Sequence, residues 1–245
     1  MRANAENERE ETKKETGPRQ THFKKWWRFW RGREEMMEAI GKLPRYVVCV
    51  RHTLRPIFEF VSNTIHPNDA LQVFPVADDY SFGILQSPLH FEWFKARCST
   101  IKAEFRYTSD TVFDTFAWPQ APTKKQIKEV ADAGVALRKL RRETMAQLDY
   151  SLRDLYRTLD EPGANPLRDA HARLDAAVRA AYGMPENADP LAFLLELNLA
   201  LAAKEKKGEP ITPPGLPLPV AEHAAFITDD CIRVEPRPAT PRKLI

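Results

Sequence analysis

The sequence has little of what marks secreted, membrane and disulfide-bonded proteins. Its 245 residues include three cysteines, Cys49, Cys98 and Cys231, which are far apart and odd in number. A disulfide framework is therefore not expected, and an intracellular protein is. No apolar run approaches the roughly 20 residues that span a bilayer, and the N-terminal stretch lacks the apolar core of a secretory signal. We expect a cytoplasmic protein without a membrane partner.

The motifs of common active sites are also missing from the sequence. The nine glycines are scattered, and none falls into the GxGxxG or GxxxxGK spacing that cradles a phosphate. There is no CxxC or HExxH for zinc and no GxSxG for a serine hydrolase. His171 lies on an apolar face of a predicted helix, which favours a hydrogen-bonded core histidine over a catalytic base. We therefore expect no catalytic residue, metal site or cofactor in this chain.

Two acidic pairs, Asp78-Asp79 and Asp229-Asp230, each place two carboxylates side by side. Such a pair could bind a cation. Aspartates are mostly exposed in folded proteins, however, and acidic pairs in turns are usually solvated. We interpret both pairs as solvated turn residues.

Positive charge is present but unevenly distributed. The chain has 37 Lys and Arg against 34 Asp and Glu, a net charge of +3, so it is not uniformly basic. Between Phe23 and Arg55, however, nine cations stand against three glutamates. A second basic group consists of Lys95, Arg97, Lys102 and Arg106. Each group is either a solvated face or a surface that contacts DNA phosphates, which would give salt-dependent affinity.

Hydrophobic patterning predicts an α+β fold for the first half of the chain. A helix is expected from about residue 24 to 42, and Ser87 with Pro88 opens another. Strands are predicted at 46–50, 57–61, 71–76, 80–85 and 100–107. The result is a small mixed β-sheet with flanking helices.

From residue 123 onward the pattern is helical. Helices are predicted to open at Thr123, Ser151, Asn165 and Asp189. The long first helix has an apolar stripe, and its outward face is predicted to carry Arg138, Lys139, Arg141 and Arg142. The Pro-rich tail from residue 208 is expected to wrap the surface or to be partly disordered.

Lys102, Glu104 and Arg106 recur at two-residue steps and would project together from an extended segment. Lys or Arg can donate to guanine O6 and N7, and a carboxylate can accept from cytosine N4. The triplet could therefore read base edges. The spacing fits equally well an ordinary same-face salt bridge, worth under about 1 kcal/mol.

An aromatic cluster occupies the first predicted helix. Phe23, Trp26 and Trp30 would share one face, and Trp27 lies beside them. Bases stack on aromatic rings when they are single-stranded or flipped, and nothing else in the sequence indicates a single-strand groove. We expect this face to pack against a neighbouring domain.

Three strings together resemble the C-terminal portion of MmeI-like type II restriction–modification enzymes and the related adenine-specific DNA methyltransferases. They are WWRFWRGREEMMEAIGKLPRYVVCVRHTLRPIFEFVS, DDYSFGILQSPLHFEWFKARC and FRYTSDTVFDTFAWPQAPT. The later strings SLRDLYRTLDEPGANPLRDAHARLDAAVRAAYG and FLLELN resemble the closing helical segment of that family. The similarity covers residues 23–217.

The resemblance implies a module that recognises double-stranded DNA. Residues just before the family's RY-S/T motif, here Arg106 to Ser109, help to set the accepted base pair, and Lys102 and Glu104 occupy those positions. We expect base reading by Lys102, Glu104 and Arg106. Contacts to the DNA backbone are expected from Arg51, Arg55, Lys95, Arg97 and Ser109.

The resemblance also implies a division of the chain. We expect a disordered charged leader at 1–22, a target-recognition domain at 23–120, an all-α C-terminal domain at 121–207 and the Pro-rich tail at 208–245. The family's methyltransferase motifs and glycine-rich cofactor loop are missing, so S-adenosylmethionine is expected in a methyltransferase domain outside this sequence. The chain would be a split partner or a truncated product, not catalytic alone.

A split partner would dock its catalytic half through the aromatic face of Phe23, Trp26, Trp27 and Trp30. The expected location is the cytoplasm, in association with the nucleoid. The alternative from a different class is a structural or protein-interaction module with no DNA-sequence specificity. Salt-sensitive binding to duplex DNA separates the two hypotheses.

Overall fold

The computed structural model describes residues 33–101 and 104–234, leaving aside the side chains of Ile101 and Glu104. The chain divides into two units, Met1–Lys42 and Leu43–Ile245. In the first unit the described part is helix α1, Glu34–Gly41, which is the end of the helix predicted at 24–42. The predicted leader, the aromatic face and the last part of the tail lie outside the described residues, and so does Lys102.

The second unit begins with a three-stranded antiparallel sheet. The central strand β1, Arg45–Val50, lies between β2, Glu59–Ser62, and β3, Leu71–Phe74. Val47 is opposite Phe60 on one side and Phe74 on the other. The run of β-branched residues in β1 favours a strand, and its first five residues are buried. The α+β class is confirmed, and both described sheets are antiparallel.

The prediction of a strand at 80–85 is wrong, because this segment forms helix α2, Asp79–Gln86. Asp78 caps the helix by accepting a hydrogen bond from the backbone N–H of Ser81 at 2.7 Å. Every residue of α2 is buried. A helix that is buried on all sides has no polar face, so its sequence lacks the 3.6-residue period and reads as a short apolar run.

Helix α3, Pro88–Arg97, follows at once with Ser87 as its N-cap, as predicted. The single strand predicted at 100–107 is instead a hairpin of β4, Ser99–Ile101, and β5, Glu104–Arg106. The residues between them, Lys102 and Ala103, include none of the glycine or asparagine that usually marks a two-residue turn. A π-helix, Ser109–Phe113, comes next.

The helices after residue 123 are confirmed, and they are α4, Lys124–Leu148, α5, Leu152–Arg157, α6, Pro166–Tyr182, and α7, Pro190–Lys206. Capping boxes start α4 at Thr123 and α5 at Ser151, and Asn165 and Asp189 cap the other two. Gly183 ends α6 at φ 61°, a left-handed conformation that glycine adopts without strain. A short 3₁₀ turn, Thr158–Asp160, follows α5.

The tail returns to the sheet. A 3₁₀-helix, Val220–Phe226, leads into residues 227–234, which we call the C-terminal segment. Ile232 forms a parallel bridge with Val61, donates its N–H to the Phe60 carbonyl at 2.8 Å and accepts from Ser62 at 2.9 Å. The described part of the tail therefore wraps the surface, which is one of the two arrangements expected from its composition.

The early and late parts of the second unit share one core. Helix α4 packs on both α2 and α6, and Gly83 and Gly134 lie at the α2–α4 contact. A Cβ added to Gly83 would lie 2.7 Å from Val130 Cγ1, so glycine is what allows this close approach. The domain boundary predicted near residue 120 stays a prediction. No described helix is long and apolar enough to cross a membrane.

Two arginines predicted on the outward face of α4 are buried instead. Arg138 and Arg141 are each 1% exposed. Arg138 donates to Asp79 and, through Nε at 2.7 Å, to Asp230 Oδ2. Arg141 donates to the Phe58 carbonyl at 3.0 Å. Both acidic pairs expected in solvated turns thus contribute one carboxylate, Asp79 or Asp230, to a buried ionic cluster.

Candidate nucleic-acid interface

The β4–β5 hairpin is joined to the edge of the main sheet where β1 ends. Thr53 donates its N–H to the Phe105 carbonyl at 3.0 Å, and the N–H of Tyr107 donates to the Arg51 carbonyl at 2.8 Å. Between these bonds His52 and Arg106 form an antiparallel bridge. Residues paired in this way place their side chains on the same face. The hairpin is therefore fixed to a rigid sheet next to an exposed histidine.

Neighbouring residues of β5 point to opposite faces. Phe105 packs inward, with its ring centroid 5.9 Å from that of Phe94. Arg106 therefore lies on the outer face, as strand alternation requires. Glu104 lies two residues before Arg106 in the same strand, and its backbone is opposite Ile101 of β4.

Arg106 is half-buried and has an unused donor. Its Nε atom is buried and has no hydrogen-bond partner among the described residues. A buried donor without a partner costs about 1–3 kcal/mol. Arginine carries five N–H donors in a fixed fork, the geometry that pairs with the edge of guanine or with a phosphate. Because Arg106 is only half-buried, the exposed part of its side chain is what a bound ligand could contact.

Tyr107, the next residue, anchors the strand in the core. Its side chain is fully buried, and its hydroxyl is 2.9 Å from His90 Nε2. Its ring stacks on Phe94 and contacts Phe74 edge-on, at centroid distances of 5.6 and 5.5 Å. Burial raises the pKa of Tyr107 well above its ordinary value and lowers the pKa of His90 to about 3. Both groups are therefore neutral near pH 7. The Arg106–Ser109 motif thus places Arg106 on the outer face and Tyr107 in the core.

Ser109 follows the anchor and begins the π-helix. It is exposed, and its hydroxyl oxygen accepts a hydrogen bond from Gln72 Nε2 at 3.1 Å. Gln72 belongs to β3, so Ser109 is tied to the main sheet. Ser109, which is predicted to contact the DNA backbone, is thus close in sequence to Arg106 and held in place by β3.

The other residues predicted to contact the DNA backbone lie in different environments. Arg97 is the last residue of α3, is exposed, and places its guanidinium 5.7 Å above the Trp93 ring. Lys95 pairs with Glu92 at 2.7 Å. Arg51 is half-buried and reaches the Leu71 carbonyl at 3.5 Å. Arg55 lines a separate pocket and is 3.7 Å from Asp160.

The structure thus brings together some of the predicted site residues but not all. Arg106 and Ser109 lie close together in and after β5, Arg51 pairs with β5 through its backbone, and Arg97 lies just before β4. Arg55 belongs to a different surface. Lys102 falls outside the described residues. His52 and Gln72 were missed, because only the three-dimensional pairing of 51–53 with β5 and of Gln72 with Ser109 reveals them.

Comparison with known proteins shows what the first half of the chain resembles. Residues 3–120 match the family model described as MmeI, target recognition domain. This segment of the chain is therefore similar to a target recognition domain of the MmeI type, in agreement with the resemblance drawn from the sequence.

Two similar proteins are much longer. DNA methyltransferase A of Bacillus subtilis (strain 168) is 32% identical over 108 residues, which are 43% of this chain and 11% of the relative. The structure of the type IIL restriction–modification enzyme MmeI in complex with DNA has a similar fold, with a TM-score of 0.61 and 23% identity. That similarity covers 82% of this chain and 26% of the solved one. The chain therefore spans a small part of each relative.

Proposed function

We propose that this chain recognises a specific sequence in double-stranded DNA, as the recognition module of an adenine-methylating restriction–modification system. The observation that carries the proposal is the match of residues 3–120 to a target recognition domain. A relative named as a DNA methyltransferase and a similar fold solved in complex with DNA support it.

We further propose that the outer face of the β4–β5 hairpin reads base edges. The major groove of B-DNA admits a two-stranded β-ribbon, and the hairpin has this form. Arg106 would donate to guanine through the exposed part of its guanidinium, and its place on the outer face beside the exposed His52 supports this role. Lys102 and Glu104 would read the neighbouring pair through a donor and an acceptor.

Other side chains would position the DNA rather than read it. Arg51, Lys95, Arg97 and Ser109 would contact phosphates, as would Arg55 if the duplex extends over its surface. Phosphate contacts fix the register of a protein on the duplex without carrying sequence information. They would also make binding strongly dependent on salt.

The chemistry would belong to a methyltransferase domain outside these 245 residues. That domain, on a longer chain or on a separate one, would bind S-adenosylmethionine and transfer the methyl group to adenine. In the separate case the aromatic face of Phe23, Trp26, Trp27 and Trp30 would dock it. The assembled system would act on chromosomal DNA in the cytoplasm.

Selection from a random pool of duplexes tests the proposal. The full chain is incubated with the pool at low and at moderate salt, and the retained duplexes are sequenced. We expect enrichment of one short motif at moderate salt. Retention without a motif would contradict base reading and leave phosphate contacts alone. No retention at either salt would favour the alternative of a protein-interaction module.

A charge exchange then tests the assignment of the reading residues. Lys102→Glu combined with Glu104→Lys is expected to change the preferred base pair while keeping overall affinity. The matched control exchanges two exposed neighbours at the end of α7, Lys204→Glu with Glu205→Lys. An unchanged motif in the first double variant would overturn the assignment of these two residues.

A further inference from the structure

A pocket of about 170 Å³ lies on a different surface from the hairpin. Its walls come from the β1–β2 connection, the α2–α3 junction and the helices α5 and α6. Phe58, Leu85, Phe91 and Leu159 supply most of the apolar wall. A cavity of similar size, lined by apolar side chains, is large enough for a benzene ring.

Most polar groups in the wall are already bonded within the protein, with His90 Nδ1 as an exception among the described residues. The Gln86 side-chain oxygen accepts from the Phe58 N–H at 2.9 Å, and the Ser87 hydroxyl donates to the Ile84 carbonyl at 2.7 Å. The Tyr156 hydroxyl is 2.9 Å from His171 Nε2. A ligand therefore meets a wall that behaves as apolar, where burying a hydrocarbon surface is favourable.

Arg55 gives the pocket its charge. Its side chain is 38% exposed, and its ionic contact among the described residues is Asp160, 3.7 Å away and 74% exposed. An ion pair this long and this exposed contributes little. Most of the five N–H donors of the guanidinium are therefore free to bind a new acceptor.

His171 adds no second charge to the wall. Burial and, to a lesser extent, the nearby cations Arg141 and Arg55 together lower the pKa of His171 to about 3. The ring is neutral near pH 7. The pocket consequently combines an apolar wall with one permanent positive charge among the described residues that line it.

We propose that this pocket binds a small monoanion with an aromatic or branched apolar body, a carboxylate that pairs with Arg55. The ring or branched chain fills the cavity, and the carboxylate takes a bidentate hydrogen bond from the guanidinium. No described residue of the β4–β5 hairpin lines this pocket, and its test uses no DNA.

Phenylacetate and its neutral isostere 2-phenylacetamide are the probes. We expect phenylacetate to saturate the full chain at a dissociation constant on the order of 1 mM, as suits a ligand of this size. The amide should bind about tenfold more weakly, because it lacks the charge-assisted pair. Titration followed by ¹H–¹⁵N spectra locates the site, with shifts expected at the amides of Phe91 and Leu159.

Two variants separate the contributions. Arg55→Gln should reduce binding of the acid about tenfold, to that of the amide, and leave the amide unchanged. Leu159→Trp should abolish binding of both by filling the cavity. Arg153→Gln, which removes another exposed cation from α5 but does not line the pocket, should change neither.

The outcomes that overturn the proposal are concrete. Absence of saturable shifts with either probe would show that the pocket is not a ligand site. Equal binding of acid by Arg55→Gln and by the unsubstituted chain would show that the anion is not recognised there. Far-UV circular dichroism of each variant shows whether the fold is kept, and Arg55→Gln changes a partly exposed side chain that the core does not need.

Discussion

Arginine occupies two contrasting environments in the second unit. In the ionic cluster, Arg45 is 1% exposed and uses all three guanidinium nitrogens, donating to the Ala77 carbonyl, Asp79 and Asp230 at 2.7–3.0 Å. Its guanidinium also lies 3.6 Å from the centre of the Phe60 ring. On the hairpin face, Arg106 is half-buried and keeps a buried Nε without a partner.

The difference lies in the ionic partners, because Arg138 Nη1 and Arg141 Nε are also buried without a hydrogen-bond partner among the described residues. In the cluster, carboxylates from α2 and from the C-terminal segment neutralise arginines of β1 and α4, so the charges join elements distant in sequence. Removing any partner would leave an uncompensated charge in the interior. At the hairpin, Arg106 has no ionic partner among the described residues, so its charge is not used to join elements of the fold.

The largest effect is expected from breaking the cluster. Arg138→Met should lower the free energy of unfolding by about 3–5 kcal/mol, because Asp79 and Asp230 lose a buried counter-ion. Denaturant titration measures the change. Arg142→Met is the control, since Arg142 reaches the same Asp230 from a half-exposed position and should cost under about 1 kcal/mol. Equal losses of unfolding free energy in the two variants would contradict the distinction between the buried Arg138 and the half-exposed Arg142.

Local signals predicted most helices but not this cluster. The caps at Ser87, Thr123 and Asn165 act on adjacent residues, so the sequence alone reveals them. The partners of Arg138 lie 59 and 92 residues away. A charged residue is assigned to an outward face by default, and only the fold shows that its counter-ions are buried beside it.

Arg106→Ala should change the stability of the fold little and the DNA-sequence preference strongly. It removes a side chain that lacks a complete set of partners, so the free energy of unfolding should change by less than about 0.5 kcal/mol. Discrimination at one base pair should fall by about 1–3 kcal/mol, which relaxes the selected motif at that position. Selection with the variant, beside unfolding curves, measures both. A large loss of stability with an unchanged motif would make Arg106 a structural residue.

The candidate site was predictable only where a motif identified it. The family resemblance located Arg106 to Ser109, and the structure divides this stretch into an outward arginine and the inward Tyr107. The spacing of Lys102, Glu104 and Arg106 suggested one continuous strand. In the structure β4 and β5 are instead two strands that pair as an antiparallel hairpin. His52 became visible only through its pairing with Arg106.

Acid should weaken the core in two separate pH ranges. Burial lowers the pKa of His90 and His171 from 6.5 to about 3, so the unfolded chain binds more protons than the folded one between these values. Their contribution to stability is complete above about pH 6.5 and falls with pH by about 1 kcal/mol per unit for each ring. Although burial raises the pKa of Asp230, hydrogen bonds and charge from Arg138 hold it well below 3.8.

The contribution of Asp230 is therefore present above about pH 4 and is lost only at lower pH. Unfolding curves at a series of pH values measure both ranges. His171→Gln should make the dependence between pH 6.5 and about 3 shallower and leave the loss below pH 3 unchanged. An identical pH profile in this variant would exclude His171 as a titrating group.

The smallest effect is expected from a cation at the edge of the hairpin. Arg97→Gln removes an exposed guanidinium that lies over Trp93 and has no ionic partner among the described residues. If Arg97 contacts a phosphate, affinity should fall by a similar factor for every duplex, and the slope of log affinity against log salt should decrease by about 1. The preferred motif should be unchanged, in contrast to Arg106→Ala. Arg153→Gln, far along the chain and equally exposed, should leave the slope as it is. A change of motif in Arg97→Gln would extend base reading to the start of β4, and an unchanged slope would place the phosphates elsewhere on this face.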